Sequence, residues 1–172
     1  MNEKQAIERA TADAFLTIYN SEFETSYKIV EHSDAPDVLC EDESGQTLNL
    51  EITLTEDREG DIPALLGRSE ARSFEALEAR RKAVENGEAS PSELTDCFPG
   101  NVSDMILQRI QAKLSKDYGP DTALIIRDTS RLPWDWELVV SDLRSSLDLG
   151  RNRFDRGIWI YSHMRKRIFR VD

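Results

Sequence analysis

The sequence predicts an α/β domain with a mixed central β-sheet flanked by helices. Three observations carry that expectation. Apolar residues recur at helical spacing near the N-terminus and again beyond residue 101, and short runs with period-two alternation lie between and after them. TALIIRD, residues 122–128, is an apolar run of the kind that is buried beneath helices on both faces of a sheet. The 172 residues suffice for one core and are few for two, so 1–172 is expected to form a single domain.

In EKQAIERATADAFLTIY, residues 3–19, the residues Ala6, Ile7, Ala10, Ala14, Phe15 and Ile18 mark an amphipathic first helix, with Glu8 near the edge of the stripe. A strand is expected from about Ser26 to Glu31. PDVLCED and TLNLEITLT follow around the turn ESGQ, which completes a three-strand meander. From 56 to 100 the pattern weakens. RSEARSFEALEARRKAVENG reads there as a helix at 68–86, heavily charged and ended by Asn86-Gly87, suited to a lid or a dimer contact.

Order returns at Asn101. NVSDMILQRIQAKLSKDYG places Val102, Met105, Ile106, Ile110 and Leu114 on one face and stops at Gly119-Pro120. After TALIIRD, the segment WDWELVVSDLRSSLDLG is a further helix with Pro133 and Asp135 at its start. GIWIYSH and KRIFRV close the chain as strands, and Trp134, Trp136 and Trp159 are expected as packing anchors.

Composition is that of an ordinary globular protein, 39% hydrophobic and 32% charged. No apolar run approaches the roughly 18–20 residues that span a bilayer, and the N-terminus lacks a secretory apolar stretch. A cytoplasmic protein without a membrane partner is the expectation. Cys40, Cys97, His32 and His163 supply neither a disulfide framework nor zinc spacing. The net charge of −11 argues against a protein that coats nucleic acid. The charge is uneven, however. Residues 151–172 contain Arg151, Arg153, Arg156, Arg165, Lys166, Arg167 and Arg170 against Asp155 and Asp172, which leaves 1–150 at −16. Such a basic end can hold a phosphate backbone locally, or simply offset the acidic body.

The chemistry-bearing feature is a pair of acids on the expected hairpin. Period-two alternation puts Leu48, Leu50 and Ile52 on one face of TLNLEIT and Thr47, Asn49, Glu51 and Thr53 on the other. Asp37 begins the neighbouring antiparallel strand, so two carboxylates 14 residues apart can converge. Carboxylates a few ångströms apart repel unless a proton or cation lies between them, and oxygen-only ligation suits magnesium or manganese. Such an ion activates water and stabilises charge on a phosphoryl group. No G-x-G-x-x-G, P-loop or G-x-S-x-G motif competes with this reading.

Pro36-Asp37 at the start of one strand and Glu51-Ile52-Thr53 on the next, after a helix bearing Glu8 and before a helix and strand, resemble the PD-(D/E)xK nuclease superfamily. The resemblance runs from about Glu3 to Asp128. It implies a restriction-endonuclease-like αβββαβ core, here with 56–100 as a helical insertion and two strands added at the C-terminus. It implies Asp37, Glu51 and the Ile52 carbonyl as ligands of Mg2+ or Mn2+, with Glu8 as an outer member. One position departs. Where the family has lysine this chain has Thr53, which carries no charge. Some members carry that lysine on a neighbouring element, and the helix after the meander offers Lys113 and Lys116, with Lys113 placed to reach over the sheet edge.

The expected activity is metal-dependent phosphodiester hydrolysis on nucleic acid, DNA ahead of RNA. Asp37, Glu51, Glu8 and Lys113 would form the catalytic set, while Arg151, Arg153 and Arg156 would contact backbone phosphates. Two alternatives stand beside it. One is a non-catalytic binding module of the same fold, and the other is an acidic interaction or inhibitor protein engaging a basic partner. The charged helix at 68–86 and the two-sidedness of duplex cleavage are compatible with a homodimer.

Overall fold

Six strands form one mixed sheet in the spatial order β1-β2-β3-β4-β5-β6. The structure is a computed structural model and describes residues 3–55, 86–87, 102–128, 134–148 and 152–172. The elements are α1 (Glu3–Phe23), β1 (Lys28–His32), β2 (Val38–Glu41), β3 (Thr47–Leu54), α2 (Val102–Leu114), β4 (Thr122–Asp128), α3 (Trp136–Ser146), β5 (Ile158–Ser162) and β6 (Arg167–Arg170). The helix expected at 68–86 and the insertion at 56–100 lie outside the described residues, apart from Asn86-Gly87, which form a turn.

β1, β2 and β3 pair antiparallel, β4 and β5 add parallel strands, and β6 returns antiparallel to β5. Parallel addition requires a crossover, and α3 supplies the one between β4 and β5. Asp135 caps that helix as expected, accepting the Leu138 N–H at 3.1 Å. The β2–β3 turn is closed by Asp42, whose Oδ1 accepts the N–H groups of Ser44 and Gln46.

The sheet separates two apolar layers. On one side α1 places Ala12, Phe15 and Leu16 against Val38, Cys40, Leu48, Leu50, Ile52, Ala123 and Ile125. On the other, α2 and α3 cover Leu124, Ile126, Ile158 and Ile160, with Trp136 fully buried. β4 contributes to both layers, which is why TALIIRD reads as continuously apolar. Trp159 is buried and Trp134 packs at the edge of the second layer, as expected of anchors. Among the described residues no helix is long and apolar enough to cross a membrane.

Two expectations shift. The first strand begins and ends later than expected, at Lys28–His32. The first helix runs four residues past residue 19, and Asn20 fastens the chain beyond it by accepting the Tyr27 N–H and donating to the Tyr27 carbonyl. The buried face of that helix is also rotated. Ala6 and Ala10 are exposed, whereas Glu8, Thr11, Ala12, Phe15 and Leu16 face inward. Glu8 therefore lies within the buried stripe and not at its edge.

Candidate functional site

The pairing of β2 with β3 ends at Val38 and Leu50, while β3 continues beside β4 as far as Leu54. The second half of β3 thus has an open flank on the side β2 has left. Asp37, the residue before β2, fills that flank with its side chain: Oδ2 accepts the Ile52 N–H at 2.8 Å in the place where a neighbouring strand's carbonyl would stand. Strand alternation puts the Ile52 carbonyl on the same flank as its N–H. Asp37 is buried, so its carboxylate is held close to the backbone and away from bulk water.

Glu51 is buried in the row that the alternation sets apart from Leu50 and Ile52. The polar row is an interior feature in its second half, since Thr53 and Thr55 are buried with it. α2 then brings Lys113 across, and its Nζ donates to Glu51 Oε1 at 2.6 Å. Glu51 Oε2 and the Tyr118 hydroxyl are both buried outside strict hydrogen-bond geometry, yet close enough for the hydroxyl to steady the charge of the carboxylate. The Lys113 ammonium lies 6.0 Å from the Tyr118 ring centre, and that ring stacks on Phe154 at 5.4 Å. Burial pushes the Glu51 carboxyl above the usual range; the Lys113 hydrogen bond pulls it back, and the charge of Asp37 adds to the rise. Burial, reinforced by the negative charge of Glu51, raises the Tyr118 hydroxyl as well.

On the α1 side, Lys4 spans two acids. Its Nζ lies 3.1 Å from Glu8 Oε1 and 3.7 Å from Asp37 Oδ1. Glu8 is raised by burial first and by the charge of Asp37 second, with Lys4 opposing. A carboxyl raised on folding binds its proton more tightly in the native state, so the stability it contributes is present below the ordinary value of 4.5 and lost as pH rises through the folded value. Glu8→Gln is therefore expected to gain stability over the parent at pH 7 in metal-free buffer. The gap should narrow as pH falls toward 4.5, as read by denaturant titration at both pH values.

Of the residues expected together, Glu8 and Asp37 share Lys4 on the α1 side, Glu51 meets Lys113 from α2, and Asp37 and Glu51 are close enough for the charge of one to act on the other. Of the others, Arg156 is engaged elsewhere. Its guanidinium forks onto Asp121 at 2.6 and 3.1 Å and reaches the Thr47 carbonyl at 3.4 Å. Thr47 opens β3, about 17 Å of extended chain before Ile52, so Arg156 is at the far end of the strand from the acids. Arg153 is exposed, and Arg151 lies outside the described residues. Lys116 is exposed, and Thr53 is buried beside Glu51.

Compared with protein-family models, with curated proteins and with solved structures, the chain matches none. The site is therefore read from its own chemistry. Among the described residues no three or more His, Cys, Asp or Glu side chains form a ready metal cluster. A hard ion such as Mg2+ does not require one, because it retains several waters and takes one or two carboxylates. The donors on this edge fit that demand: Asp37 Oδ1, the Glu51 Oε2 that Lys113 leaves unbound and the Ile52 carbonyl are all oxygens.

Two members of the cluster went unread in the sequence. Lys4 carried a signal, standing four residues before Glu8 on one helix. Tyr118 carried none, because it lies past the end of α2 in a segment without periodicity.

Proposed function

We propose that this protein is a divalent-metal-dependent phosphodiesterase acting on nucleic acid, with a restriction-endonuclease-like core and a PD-(D/E)xK-type site whose lysine has moved from the position of Thr53 to Lys113. The observation that carries the reading is the 2.6 Å contact between Lys113 Nζ and Glu51 Oε1, which brings a cation from α2 to the acid of the motif. The adjacency of β1, β2, β3 and β4 after α1 supports the core.

In this reading Asp37, Glu51 and the Ile52 carbonyl hold Mg2+ or Mn2+, and the bound ion supplies Lewis-acid stabilisation of a phosphoryl group and an acidified water. Lys113 offers positive charge and donors to the non-bridging phosphate oxygens, the task of the motif lysine. It also holds Glu51 by Oε1, so that Oε2 remains for the ion. Glu8 orients a water from the α1 side. Arg153 is available for backbone contact, whereas Arg156 would have to leave Asp121 to make one.

The test is incubation with single- and double-stranded DNA and RNA in Mg2+ or Mn2+. Cleavage that disappears in Asp37→Ala and Glu51→Ala supports the reading, and intact substrates throughout would refute it. A second reading has one observation in its favour: Lys113 and Lys4 already neutralise the acids, as a non-catalytic binding module of the same fold would require. Nucleic-acid binding without cleavage, unaffected by chelator, would select it.

A further inference from the structure

Glu8 and Asp37 are both more than nine-tenths buried, yet each forms its ion pair with a lysine whose side chain is 73% exposed. Carboxylates taken out of water need a countercharge, and the exposed Lys4 ammonium, bridging the two, is that charge. An ammonium is a poor permanent occupant of such a place. It carries one charge and sits on a flexible four-carbon stem that can swing into solvent at little loss. A divalent ion brings twice the charge and shorter contacts to the same oxygens.

We infer that Lys4 is a resident countercation that competes with the divalent ion for Asp37 Oδ1 and so sets the affinity of the site for that ion. The inference rests on the metal-site reading above and concerns this chain's own control of loading. A second feature points the same way: Glu51 is 3% exposed, and its Oε2 is an oxygen that Lys113 does not satisfy, with the Tyr118 hydroxyl as its polar neighbour. Lys4 also feels all three acids, Glu8 most strongly, then Asp37 and Glu51. Removal of Lys4 takes the ion-pair partner from Glu8 and Asp37, while Glu51 keeps Lys113.

Calorimetric titration of the metal-free full chain with MnCl2 tests this, using Lys4→Met, Asp37→Ala and, as a control for net charge, Lys28→Met. Lys28 pairs with Glu43 in the β2–β3 turn and is exposed. Lys4→Met is expected to bind Mn2+ about three- to tenfold more tightly than the parent, with Lys28→Met within about twofold. The rise in melting temperature on adding Mn2+ should be larger in Lys4→Met than in the parent. A parent that shows no binding while Lys4→Met binds also supports the inference. If the parent binds through Asp37 and Lys4→Met binds equally or more weakly, the inference fails and the metal site stands. If neither binds, the metal-site reading fails and the inference with it.

Discussion

Lys113→Met is expected to lower Mn2+-dependent cleavage by about 10²-fold or more and to destabilise the metal-free protein. The two effects have one origin. Lys113 Nζ is the partner of Glu51 Oε1, and Glu51 is buried, so truncating the lysine strands a carboxylate inside. Breaking a fully buried pair costs about 3–5 kcal/mol; Lys113 retains 24% side-chain exposure, which lets water reach the pair and brings the expected loss to about 2–3 kcal/mol. Adding Glu51→Gln removes the stranded charge. The double variant should then recover part of the lost stability in urea denaturation while cleavage does not recover, a coupling that a thermodynamic cycle reads directly. Cleavage within about threefold of the parent in Lys113→Met would exclude Lys113 from the chemistry.

The second large effect separates the two tasks of Asp37. Asp37→Asn keeps an oxygen to accept the Ile52 N–H but removes the charge, whereas Asp37→Ala removes both. Both variants are expected to lose at least about 10²-fold in cleavage. They should differ in stability. Asp37→Asn should remain within about 1 kcal/mol of the parent, while Asp37→Ala leaves a buried amide without an acceptor and should lose about 1–3 kcal/mol. Equal stability of the two would mean that the Ile52 amide finds another acceptor, and the side-chain bridge across the strand gap would then have no structural role.

Much of the fold follows from local patterns, and the places where reading failed have physical causes. β2, α2 and α3 are recoverable because each buries a face whose period matches its backbone, and β4 because its unbroken apolar run is buried on both faces. Apolar periodicity places the stripe of α1 off its buried face because two of the inward positions, Glu8 and Thr11, are polar. Hydrophobic periodicity has no weight for a glutamate that faces inward to meet a charge. That mismatch was itself the trace of the site. Lys113 was legible as a residue able to reach, since its position beside the α2 stripe aims it at the sheet, but its target had to come from tertiary packing. Charge alone groups Arg156 with a basic tail. Its engagement with Asp121 depends on a strand register that no local window contains.

The parting of β2 from β3 after Val38 and Leu50 also provides a built-in reporter. The Ile52 amide is protected by a carboxylate and not by a ladder, so its hydrogen-exchange rate follows the whereabouts of one side chain. Cation capture that draws Asp37 away from the backbone should speed deuterium uptake at that single proton while the amides of β4 stay slow. Occupancy of the site would thus be visible at one nucleus, without substrate and without turnover.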